Sequence, residues 1–200
     1  MTVPATIDPG TYLTVDSPHD VARWRPFVHW IMAIPHFIVL HAFRALAGVV
    51  FIFYWLGLLF TGRLNSGLYS MMTMYERYNA RTGGFLLGYT EKYAPFDFNG
   101  GPNDNGEYAP VTLELPPVPE TASRKSLFNV LLAIPHYLML VLYAIAGIAV
   151  AIFGWFAVVF TGRWPAGGRR FLVRVANYYH RVWTYAAMVE PSYPKFSLPS

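Results

Sequence analysis

The chain contains no cysteine and little charge, and each absence removes a class of chemistry. Without thiols, disulfide bonds, thiolate metal sites and cysteine nucleophiles are excluded. Only 13% of the residues are charged and 54% are apolar, whereas a typical soluble domain has about 25% charged residues. Because a soluble protein this poor in charge would struggle to cover its surface, the composition predicts a membrane protein.

Charge is almost absent from two long hydrophobic runs, residues 27–60 and 127–160. The first contains one charged side chain, Arg44, and the second contains no Lys, Arg, Asp or Glu. Runs of about 18 or more apolar residues are typical of transmembrane helices, because in lipid the backbone polar groups must be hydrogen-bonded within the helix. We therefore expect an all-α, multi-pass integral membrane protein.

Catalytic motifs are missing as well. The sequence has no Gly-rich phosphate loop, no His-Glu-x-x-His zinc helix and no Gly-x-Ser-x-Gly elbow. Its few acidic residues lie outside the hydrophobic runs, so paired carboxylates have no obvious location. The sequence predicts a protein that is not an enzyme and has no metal site. The net charge of +4 suits anionic lipid headgroups better than nucleic acid.

An internal duplication organises the residues that are present. Ala-Ile-Pro-His occurs at 33–36 and again at 133–136, and Phe-Thr-Gly-Arg occurs at 60–63 and again at 160–163. Isolated identities at the same offset include Trp55 and Trp155, Tyr78 and Tyr178, Tyr93 and Tyr193, and Phe96 and Phe196. The pattern predicts two tandem repeats, residues 1–100 and 101–200.

Each repeat is predicted to contain the same elements. Alternating apolar residues at 12–15 and 111–115 indicate short extramembrane strands, which either pair in a small sheet or form extended linkers. Amphipathic patterns after the hydrophobic runs predict helices at about 68–88 and 168–189. Because each of these helices carries two or more charges, we expect them to lie in the membrane interface rather than cross the bilayer.

The hydrophobic runs are too long for single upright helices. A straight helix of such a run would extend roughly 50 Å, whereas the hydrocarbon core is about 30 Å thick. Each run is therefore either a helical hairpin or one long tilted span. The hairpin is favoured because basic flanks belong on the cytoplasmic side, and both ends of both runs are basic: Arg23, Arg25, Arg63, Arg124, Lys125 and Arg163. It places both termini in the cytoplasm, with tips near Arg44 and Tyr143.

Five arginines are candidate lipid contacts. Arg63 and Arg163 end the hydrophobic runs, where Thr-Gly-Arg acts either as a helix stop or as a specific anion site. Arg170, Arg174 and Arg181 recur at helical spacing and form a basic stripe on the second amphipathic helix. We expect these side chains to contact anionic headgroups at the membrane interface.

His36 and His136 are the candidate cofactor ligands. Duplicated histidines on membrane helices could supply two axial imidazoles to a haem. Each follows a proline, however, and could equally hydrogen-bond a backbone carbonyl that the proline leaves free. We favour this structural role and expect no cofactor, with haem as the alternative.

The order of these motifs resembles a known family. A hydrophobic run ending in Phe-Thr-Gly-Arg, an amphipathic helix and a tail such as Tyr-Ala-Pro-Phe at 93–96 are similar to the bacterial membrane family called domain of unknown function 4389. The resemblance covers about residues 12–198, as two copies in tandem. It implies an integral membrane protein and nothing firmer, because the family has no assigned activity. We expect the protein to lie in the bacterial cytoplasmic membrane, with multiple passes.

The function expected from these features is that of an accessory or structural subunit of a larger membrane complex. Its partners would be anionic lipids and other membrane subunits. A hairpin protein that shapes the membrane is one alternative. A small haem-binding or transport protein that uses the duplicated Ile-Pro-His motifs is another.

Overall fold

The computed structural model describes residues 10–199, which form three layers. Two long apolar helices make the outer layer, two further helices the middle layer, and a two-stranded sheet the third. The elements are β1 (Leu13–Val15), α1 (Arg25–Met32), α2 (Ile34–Thr61), α3 (Ser66–Leu86), β2 (Val111–Leu113), α4 (Asn129–Leu132), α5 (Ile134–Thr161) and α6 (Ala166–Ala186). A 3-10 helix, Arg124–Phe128, leads into α4.

The predicted hairpin within each hydrophobic run is wrong. α2 and α5 are each continuous over 28 residues, and the backbone passes Arg44 and Tyr143 without a turn. The break comes earlier, at Ala33 and Ala133, which separate α1 from α2 and α4 from α5. The proline two residues after each alanine lies in the first helical turn. A proline there removes no hydrogen bond, so it begins the long helix instead of kinking it.

Each long helix ends at a glycine cap. Gly62 and Gly162 adopt left-handed φ values of 73° and 74°, which glycine adopts without the steric cost of a side chain. The hydroxyls of Thr61 and Thr161 donate to carbonyls one turn earlier, at 2.6 Å in both repeats. Thr-Gly-Arg is thus a helix C-cap in each repeat.

The middle layer consists of α3 and α6. α3 runs back along α2: Tyr69 stacks on Tyr54 with centroids 6.2 Å apart, and Tyr78 meets Phe43 at 6.3 Å. Arg77 and Arg81 on this helix are 2% and 1% exposed, so its arginines do not face the surface, and the location of the helix at the membrane interface stays a prediction. Both arginines are compensated by acidic and carbonyl groups, which permits their burial.

The two predicted strands do pair, and their register relates the repeats. Leu13 pairs with Leu113 in an antiparallel arrangement. These residues are equivalent in the duplication, so a local twofold axis passes between them, perpendicular to the sheet. β2 packs on α3 and β1 packs on α6. The axis therefore relates the layers of one repeat to those of the other and leaves both long helices on the same side of the sheet.

In the outer layer, each long helix packs against the opening segment of the other repeat. The Trp155 indole N–H donates to the Pro26 carbonyl at 3.0 Å, and the Trp55 indole N–H donates to the Leu127 carbonyl at 3.3 Å. Among residues 10–199, the stretches Ile34–Thr61 and Arg124–Thr161 are long and apolar enough to cross a membrane. Only 11% of the most apolar part of each is buried within the protein.

Candidate functional site

Each predicted histidine is enclosed in an aromatic cage within its own repeat. His36 Nδ1 lies 2.6 Å from the Tyr78 hydroxyl, and its ring stacks on Phe96 with centroids 4.4 Å apart and planes 11° apart. Tyr93 closes the side, with centroids 4.8 Å apart. The imidazole is completely buried, which makes the cage part of the packing between α2, α3 and the tail.

The second cage repeats the first in detail. His136 Nδ1 lies 2.7 Å from the Tyr178 hydroxyl, and the ring stacks on Phe196 at 4.1 Å and 13°. Tyr193 flanks it at 4.9 Å. Three of the isolated identities one hundred residues apart, at positions 78, 93 and 96, thus surround the histidine of the duplicated Ala-Ile-Pro-His motif.

The cage tyrosines Tyr93 and Tyr193 also donate hydrogen bonds to backbone carbonyls at the helix breaks. The Tyr93 hydroxyl donates to the Met32 carbonyl at 3.1 Å, and the Tyr193 hydroxyl donates to the Leu132 carbonyl at 3.4 Å. These carbonyls lie at the ends of α1 and α4, where the regular helical pattern stops. The freed carbonyls are therefore bound by the tyrosines and not, as expected, by the histidines.

Haem ligation by His36 and His136 stays a prediction that this geometry does not favour. The two cages share no residue, and one face of each imidazole ring is covered by a phenylalanine. The Nε2 atoms of both histidines lack a hydrogen-bond partner within residues 10–199. In that part of the chain, no group of three His, Asp or Glu side chains could hold a metal ion.

A charged network fastens the inter-repeat linker to α3. Arg81 donates to Asp97 and, at 2.6 Å, to Asp104. Arg77 lies 3.4 Å from the same Asp104 carboxylate and donates to the carbonyls of Asn99, Gly101, Pro102, Asn103 and Leu113. Burial raises the pKa of Asp97, but the Asn99 N–H and the Arg81 guanidinium outweigh it and hold that pKa below its usual value.

A second buried polar cluster joins the two repeats. The Tyr179 hydroxyl donates to Glu76 Oε1 at 3.0 Å, and His180 Nδ1 lies 3.8 Å from Glu76 Oε2. Burial raises the pKa of Glu76 to about 7 and lowers the pKa of His180 to about 3. Because the imidazole is neutral at physiological pH, the pair is a carboxyl group beside a neutral base and not an ion pair.

Sequence reasoning missed this cluster for an identifiable reason. Ala176 occupies the position equivalent to Glu76, and Asn79 and Ala80 those equivalent to Tyr179 and His180, so the duplication does not reveal it. The cluster borders a cavity of about 390 Å³ between α3 and α6, which Tyr179 and His180 help to line. The available signal was a glutamate that has no acidic counterpart in the other repeat.

The five predicted lipid-binding arginines do not converge. Arg63 and Arg170 are exposed, and Arg163 pairs with Asp20 at 2.8 Å. Arg174 and Arg181 donate to carbonyls of the C-terminal tail, among them those of Leu198 and Ser197. The tail thus engages two members of the predicted stripe. Contact of any of the five with headgroups stays a prediction.

A protein-family model matches most of the chain. The family model described as domain of unknown function (DUF4389) matches residues 23–99 and 123–197. No curated protein and no solved structure matches the chain. The two matched segments each contain a complete cage and a complete Thr-Gly-Arg cap, and together they cover most of the sequence. The chain belongs to the DUF4389 family, with two copies of the domain in tandem.

Proposed function

We propose that this protein is a non-enzymatic membrane protein that lies in one leaflet on α2 and α5, without crossing the bilayer. In this arrangement the middle layer and the sheet face the aqueous phase. The proposal replaces the multi-pass topology expected from hydropathy. The observation that carries it is the polar linker that runs along α3 from Tyr69 to Arg81.

The outer faces of the long helices support contact with lipid. Ile38, Phe53 and Phe60 on α2 are 69%, 60% and 76% exposed, and Leu138, Phe153 and Phe160 on α5 are 66%, 66% and 72% exposed. Exposed apolar surface on this scale indicates contact with a membrane or with a partner protein. A buried core helix of a soluble protein would instead have most of this surface covered.

The polar segment along α3 argues against a bilayer crossing. The linker passes Ser70, Thr73 and Arg77 in turn: a Cβ on Gly100 would lie 2.3 Å from Ser70 Oγ, and the Gly101 N–H donates to Thr73. Further along, the Pro116 carbonyl accepts from Tyr69. If α2 crossed the membrane, this irregular backbone would be drawn into hydrocarbon, where exposed loops do not occur.

The twofold axis supports the proposal that both long helices lie in the same leaflet. Because it is perpendicular to the sheet, both long helices lie at the same height and turn their apolar faces the same way. The membrane normal then follows the axis, as for helices that lie in the interface. Arg63, Arg124 and Lys125 are exposed at helix ends in this layer, which favours the anionic cytoplasmic leaflet of the bacterial inner membrane and cytoplasmic termini.

Within this arrangement, the role we propose is that of an accessory or structural subunit. α2 and α5 would meet transmembrane partners side-on in the leaflet, and the polar layers would remain available from the cytoplasm. Gly48 on α2 supports close helix contact, because nothing lies within 4 Å of a Cβ placed there. Purification in mild detergent should return stoichiometric membrane partners.

A depth profile tests the in-plane arrangement. The chain has no cysteine, so Ile38→Cys, Phe53→Cys and Phe60→Cys can carry single nitroxide labels, with Asn103→Cys as an aqueous control. We expect the three labels to share a depth of roughly 5–10 Å and the control to remain accessible to water-soluble relaxants. A helix that crosses the bilayer would separate the end labels by roughly 33 Å. Phe53 near the bilayer centre, with the other two at opposite surfaces, would refute the proposal.

Membrane shaping is a second candidate, favoured by the same one-sided arrangement. Two helices of 28 residues each embedded in one leaflet expand that leaflet relative to the other, which favours curvature. Reconstitution at increasing protein-to-lipid ratios should shrink or tubulate vesicles in electron micrographs. An unchanged vesicle size distribution at high protein loading would eliminate membrane shaping and leave the accessory role as the remaining candidate.

A further inference from the structure

The two ends of the outer layer, although related by the twofold axis, differ in both shape and charge. At one end α5 packs on α1, and the Phe27 ring meets Trp155 edge-on with centroids 5.1 Å apart. At the other end α2 packs on the segment before α5, where Leu127 replaces Phe27. This end retains an apolar groove of about 680 Å³, whose lining includes Trp55, Leu59, Arg124 and Leu127.

The basic side chains at the two ends also differ in whether they form ion pairs. Near α5, Arg163 pairs with Asp20 at 2.8 Å and Arg25 pairs with Glu91 at 3.5 Å. Their equivalents near α2 are Arg63 and Lys125, and neither forms an ion pair within residues 10–199. One end of the layer is therefore filled and neutralised internally, while the other has an open groove and free positive charge.

A third cation at the open end lines the groove itself. Arg124 occupies the position of Trp24 in the other repeat. Its Nε donates to the Leu59 carbonyl at 3.1 Å, which fixes the guanidinium at the end of α2. A Cβ on Gly62 would lie 3.3 Å from Arg124 Nη2, so the guanidinium is adjacent to Arg63. Its Nη groups remain available to an anion.

We propose that this groove binds one anionic phospholipid of the surrounding leaflet. An acyl chain lies along the groove against Trp55 and Leu127, and the phosphate is held by Arg124, Arg63 and Lys125. The volume is within the range of about 300–1,000 Å³ found for small-molecule sites, and guanidinium groups bind phosphate oxygens with charge-assisted hydrogen bonds. The inference rests on the proposed membrane-surface location and adds a defined lipid site to it.

Native mass spectrometry in mild detergent tests the site, with phosphatidylglycerol and phosphatidylcholine of identical chains as probes. We expect one phosphatidylglycerol molecule to remain bound and phosphatidylcholine to be lost at lower activation. Leu127→Phe copies the filled end and should reduce retention about tenfold. Arg124→Gln combined with Lys125→Gln should reduce it roughly thirtyfold, because two charges are lost. The matched control is Arg25→Gln with Arg163→Gln at the neutralised end, which should leave retention unchanged.

The outcomes separate this inference from the proposed function. If the wild-type protein fails to float with liposomes, the membrane-surface location itself is wrong. If it floats but retains both lipids equally, or if Leu127→Phe retains phosphatidylglycerol as the wild type does, the groove is not a specific lipid site. A lipid-free dimer that Leu127→Phe dissociates would make the groove an interface between copies, which also overturns the lipid proposal.

Discussion

Glu76→Gln should stabilise the protein, and more so at alkaline pH. The carboxyl is completely buried, and burial raises its pKa from 4.5 to about 7. A carboxyl whose folded-state pKa is raised carries no penalty below its unfolded pKa, and the penalty grows as pH rises from the unfolded pKa to the folded pKa, above which it is complete. A difference of about 2.5 pKa units corresponds to about 3 kcal/mol at pH 8, and the cost at pH 5 is about 1 kcal/mol.

The amide isostere should remove this penalty while retaining the packing. Gln at position 76 can still accept the Tyr179 hydroxyl at its Oε1 atom. His180, with a pKa near 3, is neutral throughout this interval, and its own titration is common to both proteins. We therefore expect the variant to gain about 2 kcal/mol more at pH 8 than at pH 5, which for a chain of this size is roughly 4–8 °C in Tm.

Thermal unfolding in mild detergent, followed by circular dichroism at pH 5 and pH 8, measures the effect. Glu107→Gln is the matched control, because Glu107 is an exposed acid in the linker. Its Tm difference from the wild type should be small at both pH values. An equal Tm gain for Glu76→Gln at the two pH values, or a loss of Tm at pH 8, would show that the buried carboxyl is not the source of the pH dependence.

Two further variants test the repeat core and the linker. Tyr78→Phe removes the partner of a buried imidazole and should cost about 1–3 kcal/mol, and Tyr178→Phe should cost a similar amount if the two cages are equivalent. A thermal scan in which only one of the pair lowers Tm would contradict that equivalence. Asp104→Ala leaves Arg77 and Arg81 with an unbalanced buried charge and should cost about 3–5 kcal/mol, whereas loss of less than about 1 kcal/mol would mean that water replaces the carboxylate.

The sequence predicted the repeats, the positions of the two short strands and the two amphipathic helices at nearly the right places, because each has a local signal. The strand alternation at Leu13–Val15 and Val111–Leu113 and the glycine after each long helix are such signals. The arrangement of the helices and the sheet in layers had no such local signal in the sequence. Hydropathy alone does not distinguish a helix that crosses a bilayer from one that lies in it with its inner face packed on a polar helix. The contacts of α3 with the linker are what support the second arrangement in our proposal.

The burial of Arg77 and Arg81 was unpredictable for a related reason. Their partner carboxylates, Asp97 and Asp104, lie in a segment rich in Asn, Asp and Gly, which has the composition of an exposed turn. The segment becomes structured because α3 offers two guanidinium groups for its carboxylates and carbonyls. Such compensation depends on residues sixteen or more positions apart along the chain, beyond the reach of any local pattern.

The duplication itself separates structural residues from functional candidates. Everything that the two repeats share at the cage and the helix cap holds the same helix break and the same helix end in place, at nearly equal distances. Shared residues therefore account for the fold. Specific properties are therefore sought at positions where the copies differ. Two such differences are the Glu76–His180 pair between the repeats and the groove where Leu127 and Arg124 replace Phe27 and Trp24. A symmetric platform that carries one unsymmetrical lipid site would give the protein a fixed orientation towards a partner in the plane of the membrane.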